Sequence, residues 1–234
     1  MKRAPRVAAV QDISGFGRCS MTVALPVLSA MGAQCCPLPT AYLSAHTAFP
    51  ELGKAAFLDL TRELEQTQEH WAALGVALDA VYSGFIGSVV LCDPVMGDGG
   101  RPYRTYTPDM CRAMGELAAL ADVITPNLTE AALLLGEEYA DAPGSETAAR
   151  AWLERLSRDG RRSVVLTGLS FTGGERGAGY FDAADGRTGF AMARQEPAHF
   201  PGTGDLFASV VLGSLLRGEA LCSGVRKAVE FVQR

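Results

Sequence analysis

The chain has no G-x-x-x-x-G-K-[ST] stretch and no complete G-x-G-x-x-G, so the two commonest glycine loops for nucleotide phosphates are both missing. The absence of the second argues against a dinucleotide-dependent dehydrogenase. No apolar run approaches the length of a membrane span, so no membrane partner is expected. The six cysteines, Cys19, Cys35, Cys36, Cys92, Cys111 and Cys222, show no C-x-x-C pairing. That leaves no zinc knuckle or redox couple and predicts free thiols in a reducing compartment. An excess of basic charge is also missing. The net charge is −5, which argues against nucleic acid as the main partner. Residues 1–6, M-K-R-A-P-R, are basic, but the V-A-A-V that follows is too short for a signal-peptide core and stops at Gln11-Asp12, so a cytoplasmic protein is expected. No repeat or linker interrupts the 234 residues. With 48% hydrophobic and 20% charged residues, the chain reads as a single globular domain over 1–234.

Elements alternate in the manner of an α/β fold. Strands are predicted at 6–11, 34–39, 80–86, 89–94, 122–125 and 163–167, with a hairpin of 177–183 and 188–193 around Asp185-Gly186. Helices are predicted at 19–31, ended by Gly32, and at 57–74, with Leu60, Leu64 and Trp71 near helical spacing. Further helices are predicted at 108–120, 129–135, 145–159, 204–217 and 219–233. One join conflicts with this pattern. Segments 80–86 and 89–94 both read as interior parallel strands, yet only Gly87-Ser88 separates them. Parallel neighbours need a crossover of about a dozen residues, whereas a two-residue link makes a hairpin and would send Asp93 to the wrong sheet edge. A crossover segment is therefore expected to be missing between 88 and 89. The end at Arg234, inside an uncapped helix, is expected to be incomplete.

Residues 200–208 read F-P-G-T-G-D-L-F-A. Two glycines allow a sharp turn with uncovered N–H groups, and a helix N-terminus follows, which together suit an anion such as a phosphate. Asp205 would repel that phosphate, but it makes sense as the group taking a proton from an attacking hydroxyl. An ordinary Thr or Asp cap after a glycine turn is the alternative.

Three more motifs lie where strands end. In C-D-P-V-M-G-D (92–98), Asp93 and Asp98 suit Mg²⁺ held through carboxylates and waters, or else a solvated turn. In T-P-N-L-T-E (125–130), Asn127 and Glu130 suit the metal's water shell, or else a capping box. In Q-D-I-S-G-F-G-R (11–18), Ser14 suits a substrate polar group, with Gly15 and Gly17 allowing close approach. Ser44-Ala45-His46-Thr47 follows the second strand, and His46 reads as structural. In a doubly wound sheet, all of these share the carboxyl edge, where ligands bind.

These motifs resemble the ribokinase-like superfamily, in particular its vitamin B6 kinase branch. The resemblance covers nearly the whole chain. It rests on D-I-S-G-F-G-R-C-S (12–20), S-A-H-T (44–47), D-P-V-M-G-D (93–98), T-P-N-L-T-E-A (125–131) and G-T-G-D (202–205), and the first of these looks most like the bacterial pyridoxamine kinase group. The resemblance implies a three-layer α/β/α sandwich with a mostly parallel central sheet. It also implies transfer of phosphate from ATP to the 5′-hydroxymethyl group of a B6 vitamer. Gly202, Thr203 and Gly204 would form the anion hole and Asp205 would be the base. Ser14, Thr47 and Phe85 would hold the substrate. Asp93, Thr125, Asn127 and Thr167 would lie by ATP, and Asp98 and Glu130 by Mg²⁺. A monovalent cation and a homodimer also belong to the implied picture. The chain departs from the family at Phe85, where a Tyr is frequent, and at Thr167-Gly168, where Thr-Ser is common. A hydroxymethylpyrimidine kinase shares G-T-G-D and is the sister reading. A non-catalytic pyridoxal phosphate binder is the other, and it leaves Asp205 without a purpose.

Overall fold

The computed structural model describes residues 3–46, 49, 54–82, 89–104, 106–171, 174–194 and 202–233. Along them run β1 (Arg6–Ser14), α1 (Met21–Ala30), β2 (Gln34–Leu43), β3 (Phe57–Asp59), α2 (Thr61–Ala73), β4 (Ala80–Tyr82), β5 (Val90–Cys92), β6 (Gly97–Asp98) and β7 (Arg101–Pro102). They continue with α3 (Pro108–Ala119), β8 (Val123–Ile124), α4 (Leu128–Leu135), α5 (Glu146–Ser157), β9 (Ser163–Leu169), β10 (Glu175–Asp182), β11 (Arg187–Arg194), α6 (Thr203–Leu216) and α7 (Leu221–Val232).

Nine strands form one sheet in the order β11-β10-β9-β8-β5-β4-β1-β2-β3, and β6 and β7 make a separate small hairpin. The six strands from β9 to β2 pair in parallel, while β10, β11 and β3 are antiparallel additions at the two edges. Strand alternation sorts the core into layers. On one face Val7, Ala9, Tyr82 and Leu91 pack with Met21 and Leu28 of α1, Val211 of α6 and Val225 of α7. On the other face Cys92, Ile124, Val164 and Leu166 pack with Ala118 of α3, Ala131 of α4 and Leu153 of α5. Ala8 and Val81 meet Leu64 and Trp71 of α2 on that same side. The three-layer sandwich expected from the sequence is therefore present.

One local expectation is corrected. Residues 57–74 are not one helix, because Phe57–Asp59 pairs as an edge strand with β2, Leu43 opposite Phe57. Asp59 Oδ1 then accepts the Thr61 N–H at 2.8 Å and starts α2. The strand gains main-chain bonds from its neighbour that apolar periodicity does not register. The reading of β4 and β5 as parallel neighbours agrees with the structure, where Val81 lies opposite Val90. This orientation keeps Asp93 at the carboxyl edge. Segment 83–88, which contains most of the join, lies outside the described residues.

Candidate active site

Asp205 stands in the first turn of α6, whose N-cap is Gly202 with φ 85°. A Cβ on Gly202 would collide with the Arg18 carbonyl oxygen, so glycine is required both for the backbone angle and for the close approach. No side chain caps this helix. The N–H groups of Thr203, Gly204 and Asp205 also have no carbonyl to reach within the helix, whose first bond runs from Leu206 N–H to Gly202. Free N–H groups at a helix start suit an anion. Capping, the alternative reading of this turn, is not what Asp205 does. Its Oδ2 accepts the main-chain N–H of Ser20 at 2.9 Å, from the start of α1. The Asp205 carbonyl accepts hydroxyls from Ser209 at 2.7 Å and Tyr82 at 3.1 Å. Burial pushes the Asp205 carboxyl up to about 6, the Ser20 N–H pulls it down, and Asp12 raises it again.

Asp93 follows β5 and is buried. A Cβ on Gly204 would lie 3.8 Å from its Oδ2, which places this carboxylate beside the start of α6. Thr125 Oγ1 donates to its Oδ1 at 3.2 Å. Burial, with Glu130 and Asp205 adding like charge, holds Asp93 well above the usual carboxylate range. Glu130 is also buried, and both its oxygens are engaged. Met96 N–H donates to Oε1 at 3.0 Å, and Asn127 N–H donates to Oε2 at 2.9 Å. The capping box anticipated for Asn127 and Glu130 is present, and Asn127 Nδ2 also reaches the Gly97 carbonyl at 2.9 Å. Burial lifts Glu130 to about 7 against the pull of these N–H groups. Asp98 is exposed, and its Oδ1 accepts the Gly99 N–H. Thr167 is joined to this region by a bridge to Asn127, and its hydroxyl donates to the Pro126 carbonyl at 3.4 Å.

Ser14 ends β1, buried, with its hydroxyl donating to Asp12 Oδ2 at 3.2 Å. The β1–β2 register shifts between Gln11 and Ile13, an irregularity that re-aims residues at a sheet edge. Gly17, at φ 98°, packs against His46 and Phe49, joining the loops after β1 and β2. Thr47 and Phe85 lie outside the described residues.

Among the described residues no cluster of three or more His, Cys, Asp or Glu could cage a metal. The donor set nonetheless fits the implied Mg²⁺, a hard cation that keeps several waters and takes phosphate oxygens. Asp93, crowded by like charge and hydrogen-bonded to a neutral hydroxyl, is the kind of buried carboxylate a cation relieves.

Gly99 and Gly100 turn the β6–β7 hairpin, and Gly100 N–H donates to Thr129 Oγ1 at 2.9 Å. Tyr103 extends from that hairpin. Burial raises its phenol, and the charges of Glu130, Asp98, Asp93 and Asp205 add to the rise. Sequence reasoning also missed Ser20, Tyr82, Asp12 and Cys19. Tyr82 carries no local signal, since it reads as an apolar strand residue. Cys19 is a buried thiol in the field of Asp12 and Asp205, raised first by burial.

The phosphomethylpyrimidine kinase family model matches residues 76–234. A structure from Bacteroides thetaiotaomicron, described as a candidate phosphomethylpyrimidine kinase and solved with pyridoxal, is 37% identical with a TM-score of 0.90, covering 98% of this chain and 86% of that one. Pyridoxal kinase from Lactobacillus plantarum is 32% identical with a TM-score of 0.85, covering 97% and 86%. Pyridoxal kinase PdxY of Rubrobacter xylanophilus is 29% identical, over 92% of this chain and 81% of the relative. With the G-T-G-D turn, the paired carboxylates and the sandwich in place, the chain belongs to the phosphomethylpyrimidine kinase family, within the ribokinase-like B6 kinases.

Proposed function

We propose that this protein transfers the γ-phosphate of ATP to the 5′-hydroxymethyl group of a B6 vitamer, giving the 5′-phosphate. The observation that carries the reading is Asp205, a carboxylate at an uncapped helix N-terminus that serves as no cap and is tuned toward neutrality. Phosphoryl transfer asks for positioning and charge neutralisation more than for covalent chemistry. The substrate hydroxyl gives its proton to Asp205 as its oxygen bonds to the γ-phosphorus. The bond from that phosphorus to the β–γ bridging oxygen breaks and ADP leaves. The N–H groups of the 202–205 turn hold charge on the transferring group.

In this reading Ser14 and Thr47 bind the pyridine substituents and Phe85 lies against the ring. Asp93, Thr125, Asn127 and Thr167 line the nucleotide. Asp98 and Glu130 act on Mg²⁺ through its waters, and bound Mg²⁺ neutralises the phosphates. A monovalent cation, a homodimer and a cytoplasmic setting complete the proposal. Phe57 and Leu58, exposed on edge strand β3, support a second copy as partner.

The test is ADP release with pyridoxal, pyridoxine, pyridoxamine and hydroxymethylpyrimidine, using wild type and Asp205→Asn. Turnover of a vitamer, lowered by about 10²–10⁴-fold in the variant, is expected. Turnover of none rejects the kinase. Preference for hydroxymethylpyrimidine selects the second reading, which the family model's own description favours.

A further inference from the structure

Four non-glycine residues among those described have positive φ: Ser20, Val95, Arg158 and Asp159. Arg158 and Asp159 follow the end of α5, an ordinary place for a left-handed turn. Ser20 and Val95 are different, since the N–H of Ser20 and that of Met96, next to Val95, each donate to a carboxylate of the site. Ser20 has φ 47° and ψ −127°, a combination that glycine tolerates and a side chain does not. Val95, at φ 33°, is β-branched and immediately precedes Met96, whose N–H donates to Glu130. At both places the unfavourable backbone angle accompanies a main-chain N–H delivered to a buried or half-buried carboxylate.

The geometry at Ser20 explains why the angle is needed. Its carbonyl accepts the Val23 and Ala24 N–H groups and so opens α1. Its own N–H points the other way, to Asp205 Oδ2 at 2.9 Å. Two residues earlier, the Arg18 carbonyl sits where a Gly202 side chain would be. The turn that opens α1 is thus laid on the turn that opens α6, and a reversal at residue 20 aims its N–H at the carboxylate across the contact.

We propose that Ser20 is a positioning residue for Asp205, kept in a glycine-like conformation because its N–H fixes Oδ2 and leaves Oδ1 turned to the substrate hydroxyl. The proposal rests on the reading of Asp205 as the base. It identifies a role for the backbone of residue 20, with the serine hydroxyl dispensable.

Two measurements test it. Hydrogen exchange at the Ser20 amide needs no turnover. Protection in the wild type and a loss of about 10–100-fold in Asp205→Ala is expected, as for an amide whose acceptor is removed. Unchanged protection overturns the proposal whether or not the protein is a kinase. The second measurement is steady-state kinetics with a B6 vitamer and ATP. Ser20→Gly takes the same angle without strain, so it should keep kcat within about twofold and raise Tm by a few degrees. Ser20→Val cannot hold the angle and should lose about 10–100-fold in kcat with both KM values within about twofold, the pattern of a misplaced catalytic group. Wild-type kcat in the valine variant, or an equal loss in the glycine variant, overturns the proposal. Failure of the wild type to turn over any vitamer instead rejects the kinase reading, and amide exchange still decides the role of Ser20.

Discussion

The Tyr82 hydroxyl, fully buried at the end of β4, donates to the main-chain carbonyl of Asp205 at 3.1 Å, across 123 residues of sequence. This bond ties the centre of the sheet to the first turn of α6. Ser209 reaches the same carbonyl from one helical turn further on.

Tyr82→Phe should therefore keep the fold and the ring packing and lose one buried hydrogen bond. A stability loss of about 0.5–1.5 kcal/mol in urea unfolding is expected, because Ser209 still satisfies the carbonyl. kcat should fall severalfold while the KM for ATP stays constant. A variant with unchanged kcat would show that Asp205 is held well enough without this bond.

The raised Asp205 carboxyl gives activity and stability opposite pH dependences. The base must be ionised, so kcat/KM should fall about tenfold per pH unit as pH drops below about 6. For folding, a carboxyl raised in the native state contributes its stability fully below its unfolded value, near 3.9, and loses it as pH rises through about 6. Melting curves between pH 4 and 7 should show a larger rising-pH loss in the wild type than in Asp205→Asn, the remainder coming from Asp93 and Glu130, which are also raised.

Gly202 and Gly204 should answer alanine differently. Gly202 is at φ 85° with the Arg18 carbonyl in its side-chain space, so Gly202→Ala should lower Tm and activity together. Gly204 has room, with Asp93 Oδ2 at an ordinary 3.8 Å. Gly204→Ala should keep Tm and lose kcat if the free N–H groups of this turn hold the transferring phosphate, because the methyl group crowds them next to Asp93. Thermal melts and steady-state rates on the same preparations separate the two.

Glu130→Gln keeps size and removes one of two acceptors. Its amide nitrogen must then face the N–H of either Met96 or Asn127. A loss of about 1–3 kcal/mol is expected, the scale for a buried donor left unpaired. A raised KM for ATP should accompany it, since the 93–98 turn and the 127–130 turn are joined through this carboxylate. Unchanged unfolding midpoints would contradict the arrangement.

The parallel pairing of β4 with β5 leaves seven residues, 83–89, between Tyr82 and Val90. Helical crossovers between parallel neighbours use about a dozen or more. An intact mass above 24.7 kDa for the native protein is therefore expected, the excess being the crossover, and a mass of 24.7 kDa would sink the idea.

Much of this site was legible because its parts are local. The G-T-G-D turn and the Asn127–Glu130 capping box each declare a turn opening into a helix, the Asp93–Asp98 segment declares a strand end, and each lies as expected at the carboxyl edge. The 57–74 segment misled because β3 is stabilised by its neighbour β2, and pairing of that kind leaves no mark in a helical period. The parallel direction of β4 and β5 was legible, because both read as interior apolar strands of a doubly wound sheet.

The sequence by itself determined the α/β alternation, the G-T-G-D turn that opens α6 and the presence of Asp205 in it, since glycine positions, caps and apolar periods act within a few residues. Only the tertiary structure decided what Asp205 is bonded to. Its neighbours Ser20 and Tyr82 come from the ends of α1 and β4, brought together by the stacking of two helix-opening turns over the sheet edge. Side chains and N–H groups so distant in sequence meet only through packing.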